Sequence, residues 1–247
     1  MCEACGSQLH ARGSALTRRR ALTLGAGLIG ASAAPLRVLA DASDKPPPKP
    51  ENVVSPKEAL GRLMEGNARY VAGVATQRDF VAERAALVGG QNPFAGVLSC
   101  ADSRVAPEVA FDAGLGDIFV CRVAGNFVEQ DNLASFEYAV DVLKAPLLMV
   151  LGHESCGAVK AAIAAVVDKA SLPGHLPALA AEIGPAVEAV MNEGGDLVAN
   201  ATRENVRRNV EALKTATPIL SAAVAEGRIQ VVGAVYRLQT GQVELIG

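Results

Sequence analysis

Two short segments of this chain carry residue types that can do metal chemistry. The first is Cys100-Ala101-Asp102-Ser103-Arg104 and the second is His153-Glu154-Ser155-Cys156-Gly157. Two cysteines and a histidine form a soft-to-borderline donor set that suits tetrahedral zinc. Three protein ligands leave one coordination position open, the feature that separates catalytic from structural zinc. Cys156 falls at the start of a helix-forming stretch, where free N–H groups and the helix dipole favour a thiolate. Asp102 and Arg104 sit two residues apart, and an Arg fork holds a carboxylate in one orientation and keeps it ionised. Taken singly these signals are weak: His-x-x-Cys alone is a poor metal motif, and Asp-x-Arg alone is an ordinary surface ion pair. Cys121, within Phe119-Val120-Cys121-Arg122-Val123, reads as a core residue. His175, among Pro173, Gly174 and Pro177, reads as an exposed loop residue.

Placement is what joins the two segments. Cys100 follows the apolar run Phe94 to Ser99, and His153 follows Pro146 to Gly152, which is almost wholly apolar. Runs of that kind predict strands covered on both faces. Ser55-Pro56-Lys57-Glu58 supplies an N-cap, a proline at the first helical position and an acid in the first turn. An N-terminal helical arm through Tyr70 is therefore expected. Ile118 to Val123 predicts a further strand. Helices are expected at Pro107 to Phe111, Asn132 to Leu143, Ala158 to Ala170, Leu176 to Met191 and Glu204 to Ala225. Arg228 to Leu238 predicts a strand, with Gln242 to Ile246 as its hairpin partner across Thr240-Gly241. Alternation of this kind implies an α/β fold, a mostly parallel central sheet flanked by helices. In such folds ligands bind at the carboxyl ends of strands, where both segments fall.

The rest of the chain bounds the partners and the compartment. Of 247 residues, 23 are Lys or Arg and 26 Asp or Glu, and half are hydrophobic. That is ample for a core and excludes wholesale disorder. A net charge of −3 argues against a phosphate-tracking nucleic-acid binder. Five arginines (Arg12, Arg18, Arg19, Arg20 and Arg37) and one acid, Glu3, occupy residues 1–40, a basic head on an acidic body. Thr17-Arg18-Arg19-Arg20 precedes a charge-free stretch from Ala21 to Ala34, and small residues run to Ala40. This is the layout of an export signal, and the paired arginines with a Gly-rich core resemble the twin-arginine type. Export to the periplasm follows, with inner-membrane anchoring as the alternative if the signal is retained. The apolar stretch is shorter than the ~20 residues a spanning helix needs, so no stable membrane span is expected after cleavage. Cys2-x-x-Cys5 with His10 reads as part of an incidental leader, half a zinc site or redox pair being the alternative. Residues 41–54 hold Pro46-Pro47-Pro48 and Pro50 and read as an extended linker. Residues 55–247 are expected to form one folded domain, which holds both segments.

The paired motifs, Cys-x-Asp-x-Arg followed by Gly-His-x-x-Cys-Gly, resemble those of the β-class carbonic anhydrases. The likeness extends over about Ser55 to Gly247 and includes Gly90-Gln91-Asn92-Pro93, Gly114-Leu115-Gly116-Asp117, Arg122-Val123-Ala124-Gly125-Asn126, Glu137-Tyr138-Ala139-Val140 and Val232-Gly233-Ala234-Val235-Tyr236. Glu154 stands where the family often has Ser, leaving the ligands untouched. The resemblance implies reversible hydration of carbon dioxide to bicarbonate and a proton by a zinc-bound hydroxide. One Zn²⁺ per chain would be held by Cys100, His153 and Cys156. Two thiolates cancel the charge of the ion and make it a weaker Lewis acid, so its surroundings must compensate. By resemblance Asp102 accepts a hydrogen bond from the hydroxide and Arg104 fixes Asp102. Gln91 orients substrate, Phe119 and Tyr138 line a small apolar pocket, and Gly157 borders it. A neighbouring subunit completes that pocket, so a homodimer or homotetramer is expected. In some members the counterpart of Asp102 becomes a fourth ligand in an inactive state, with bicarbonate held nearby by a Trp-containing pocket. This chain has no Trp and has Gln91, which favours the open form. The alternative from another class is a zinc-binding or redox thiol protein without hydratase activity, which would not need Asp102, Arg104 or Gln91.

Overall fold

A computed structural model describes residues 52–247. The basic leader, the Cys2-x-x-Cys5 pair and the prolines of the linker lie outside the described residues. The elements are α1 (Pro56–Val71), α2 (Phe80–Ala86), β1 (Ala95–Ser99), α3 (Pro107–Ala110), β2 (Ile118–Arg122), α4 (Gln130–Asp141), β3 (Leu147–His153), α5 (Gly157–Val166), α6 (Leu176–Val190), α7 (Leu197–Thr215), α8 (Ile219–Ala225), β4 (Gln230–Tyr236) and β5 (Val243–Ile246). The sheet order is β2-β1-β3-β4-β5. The first three pairings are parallel, and β5 closes antiparallel on β4, with Tyr236 opposite Val243. The α/β architecture expected from the alternating runs is the one observed.

Every residue of β1 and β3 is buried, which is why those runs carry no polar alternation. Successive side chains of β3 feed opposite layers. Leu147, Met149 and Leu151 pack with Ala59, Leu63, Val105 and Phe111 from the α1 and α3 side. Leu148 and Val150 pack with Phe136, Val206, Val210, Leu213 and Leu220 from α4, α7 and α8. Each such fully buried aliphatic side chain contributes roughly 1.5–3 kcal/mol. Ser55 caps α1, its Oγ accepting from Glu58 N–H at 3.2 Å. The folded body also includes Asn52, which is buried and donates to the Asn92 carbonyl at 2.9 Å and to Asp117 at 3.1 Å.

Three local expectations need correction. The single helix expected over Glu204 to Ala225 is two helices. It begins earlier, because Asp196 accepts from the N–H groups of Val198 and Ala199, and it ends at Thr215. Pro218 cannot continue a helix, and the residue before a proline avoids the helical region. Second, α2 had no counterpart in the periodicity: it is only seven residues long, capped by Asp79, with none of them buried. Third, His153 is the last residue of β3 rather than the first of a loop. The sheet itself therefore holds it, in register with Tyr236.

Candidate metal centre

In the strand order, β1 and β3 are neighbours whose connections leave in opposite directions, through α3 to β2 and through α5 toward β4. The crevice beyond their carboxyl ends is the topological switch point, where open α/β sheets bind ligands. Cys100 follows β1, His153 ends β3, and Cys156 is the N-cap of α5. All three are buried, and their ligand atoms lie within 4.8 Å of one another. The two sulfurs are 4.0 Å apart. Two thiolates on a tetrahedral zinc, each at about 2.3 Å, are separated by about 3.8 Å.

The imidazole is prepared in the same sense. His153 Nδ1 bonds the Glu154 carbonyl at 2.8 Å, and with that nitrogen donating, the lone pair lies on Nε2. Nε2 is buried and has no hydrogen-bond partner, a costly state for a polar atom unless a cation takes the lone pair. The sulfurs titrate as a pair. Hydrogen bonding from Cys156 chiefly, with help from the Gly125 amide, holds the Cys100 thiol well below its usual range against the cost of burial. The Cys100 sulfur and burial then push Cys156 far up, although the Ala158 and Val159 amides at the start of α5 favour its thiolate. Two adjacent thiolates need a cation to exist together. Donor set, spacing and orphaned nitrogen all fit Zn²⁺.

Asp102 lies beside the triad, its Oδ2 3.8 Å from His153 Nε2. Arg104 grips it three ways: backbone N–H and Nε–H donate to Oδ1, each at 2.9 Å, and a terminal nitrogen donates to Oδ2 at 2.7 Å. That hydrogen bonding keeps the Asp102 carboxyl well below the usual carboxylate range. Arg122, quoted above only as part of a motif, proves to be the clamp of this loop. Its guanidinium donates to the carbonyls of Cys100 at 3.0 Å, Asp102 at 2.8 Å and Val105 at 2.9 Å. The one available signal was a lone charge closing an otherwise uncharged strand. Glu154 anchors the second loop, accepting from Arg237 at 2.6 Å and from the Leu238 N–H at 3.1 Å.

The other expected site residues fall elsewhere. Gly157 opens α5 beside Cys156. Gln91 is exposed and precedes β1, so it sits at the opposite end of that strand from Cys100. Phe119 pairs with Gly96, also toward the amino end of β1. Its ring lies 6.4 Å from that of Tyr138, which is 47% exposed. The fold does not bring these three to the metal ligands of their own chain. Cys121 packs against the second core cluster, and His175 is exposed.

A buried Cys-His-Cys donor set that could hold a metal ion lies at the switch point of a five-stranded α/β sheet. The carbonic anhydrase family model matches residues 95–243. Carbonic anhydrase 2 of Mycobacterium tuberculosis is 41% identical over 192 residues, covering 77% of this chain and 93% of that protein. The carbonic anhydrase of Mycolicibacterium smegmatis is 40% identical over 193 residues, with the same coverage. Among solved structures, the Coccomyxa β-carbonic anhydrase in complex with acetazolamide superposes with a TM-score of 0.59 at 29% identity, covering 76% of this chain and 86% of that one. The tetrameric β-carbonic anhydrases of Sordaria macrospora, at 24% identity and a TM-score of 0.60, share the fold, with 77% of this chain and 98% of that one covered. This chain belongs to the carbonic anhydrase family, in its β class.

Proposed function

We propose that this carbonic anhydrase works through one Zn²⁺ per chain on Cys100, His153 and Cys156, in the open form, with Asp102 held off the metal by Arg104. The observation that carries the reading is the three-point grip of Arg104 on Asp102 next to an unpartnered His153 Nε2. A carboxylate whose oxygens are both engaged by a guanidinium has little left for a metal. Zinc bound there supplies a strong nucleophile from water near neutral pH. Asp102, ionised and fixed, accepts a hydrogen bond only from a group that carries a proton, so it selects and aims what occupies the open side. Arg122 holds the Asp102 carbonyl, so the carboxylate swings little. The test is stopped-flow hydration of carbon dioxide by the purified chain before and after chelator. Activity should vanish with the zinc and return with it; activity that survives complete zinc removal would end the reading.

The second part of the proposal is a site shared between two copies. Gln91, Phe119 and Tyr138 lie away from their own metal ligands and leave aromatic surface exposed, as an isologous contact would use. Gln91→Ala and Asp102→Asn should each be at least roughly tenfold impaired alone. Mixed and allowed to exchange subunits, they should recover about a quarter of wild-type activity, because half the dimers are mixed and each of those holds one intact site. No recovery despite proven exchange would place Gln91 in its own chain's site.

For residues 1–40 we propose twin-arginine export, which delivers a protein already folded and metal-loaded, before an oxidising compartment can pair the thiols. Replacing Arg18 and Arg19 by Lys should leave the precursor in the cytoplasm on cell fractionation. Unimpaired export of that variant would rule this route out.

A further inference from the structure

We infer that Asn205 and Asn209, two buried asparagines of α7, are positioning residues of the metal centre and act on Cys100 through Gly125. The inference rests on the zinc reading above. Residues 124–128 form an irregular segment between β2 and α4. Within it the Gly125 N–H donates to Cys100 Sγ at 3.3 Å. Gly125 has φ of 90°, and a Cβ there would meet Ile183 Cδ1 at 2.5 Å and Ala158 Cβ at 3.1 Å. Only glycine gives both the backbone conformation and the close approach.

Both ends of this segment are tied to α7. Asn205 Nδ2 donates to the Gly125 carbonyl at 2.8 Å. Asn209 Oδ1 accepts from the Val128 N–H at 2.6 Å. The two amides are joined to each other, Asn209 Nδ2 donating to the Asn205 carbonyl at 2.7 Å and to Asn205 Oδ1 at 3.1 Å. They are 2% and 8% exposed. Val206, Val210 and Leu213 on the same helix fill core with aliphatic side chains, and packing alone would be served as well by Leu at 205 and 209. What an amide adds is a donor to the residue whose own N–H touches the sulfur, and an acceptor that fixes the far end of the same segment. The close seating of α7 makes the reach possible: a Cβ at Gly152 would lie 2.6 Å from Val206, and one at Gly233 2.8 Å from it.

An N–H bond to a metal thiolate withdraws charge from the sulfur. With two thiolates on one ion, that withdrawal preserves part of the Lewis acidity that the sulfurs would otherwise cancel. The asparagine pair therefore tunes the ion through a chain of hydrogen bonds that starts about a hundred residues downstream of its ligand.

The test uses the full enzyme with cobalt in place of zinc, so that the sulfur-to-metal charge-transfer band reads the thiolates directly. Asn205→Leu keeps the approximate size of the side chain and removes the donor to the Gly125 carbonyl. Its band should move to longer wavelength, and its zinc should pass to a chelator roughly tenfold faster. Leu213→Ala, a cavity on the same helix away from the segment, supplies a comparable loss of stability and should leave the band in place. If Asn205→Leu fails to fold, Asn205→Ala removes the donor with a smaller side chain and should give the same two shifts. Unchanged band and release rate in a folded Asn205 variant, or an equal band shift in Leu213→Ala, would overturn the inference. A wild-type cobalt enzyme with no sulfur band at all would instead overturn the zinc–thiolate reading, and the inference with it.

Discussion

Cys156→Ser is expected to release the metal and to cost the fold much of its stability. Wild-type chain should hold one zinc, and the variant close to none, by atomic absorption after gel filtration. The reason lies in what meets at this residue. Cys156 is the N-cap of α5, and its sulfur faces the ends of two buried strands. Serine's hydroxyl stays protonated at neutral pH and is a poor zinc ligand, which leaves only one sulfur and one nitrogen. A ligand present at a thousand times its Kd adds about 4 kcal/mol to folding. For a domain of this size that corresponds to a melting temperature lower by about 10 °C. Wild-type chain stripped with chelator should melt near the variant, because both have lost the same linkage term. Full zinc occupancy in Cys156→Ser would refute the ligand assignment. A variant that loses zinc but melts like the loaded wild type would show that the metal contributes nothing to the fold.

The buried Cys-His-Cys set could be read from the chain because Cys100 and His153 lie at the ends of apolar runs, which converge in a parallel sheet, and Cys156 follows His153 by one turn as the N-cap of α5. Asp102 and Arg104 were legible for the same local reason, two residues on one turn. The supports of the site were not. Arg122 acts on carbonyls 17 to 22 residues away, and Asn205 acts on Gly125 across 80 residues. No periodicity carries that information, since an asparagine inside a helix reads as neutral until the loop it faces is known. The break of α7 from α8 was visible in Pro218 but was masked by good helix formers on both sides. Gln91, Phe119 and Tyr138 carried a family likeness rather than a geometry, and within their own chain they lie toward the amino end of β1, away from Cys100.

Asp102→Asn is the substitution that separates a working hydratase from a passive zinc protein. It preserves size, and Arg122 still holds the backbone carbonyl of residue 102, so the loop should keep its path. Zinc should stay near one per chain, because Asp102 lies outside the ligand triad. What changes is charge: the amide oxygen can accept one bond, but the ionic pairing with Arg104 is gone. Hydration activity should fall by roughly ten- to a hundredfold, the range for losing a residue that orients a metal site. Arg104→Ala should fall about as far, since it frees the carboxylate to rotate. The double variant should lose little more than either single one, because the two side chains act as one unit. The pH dependence adds a second check. Hydrogen bonding from Arg104 depresses the Asp102 pKa, so the carboxylate stays charged, and the pair stays intact, until the pH falls well below the ordinary carboxylate value of about 3.9. No acid loss of wild-type activity between roughly pH 7 and pH 5 should therefore trace to Asp102, and Asp102→Asn should lower the whole profile without moving its acid limb. If Asp102→Asn lost its zinc while Arg104→Ala kept full activity, Asp102 would be a ligand of the ion, and the open arrangement would be wrong.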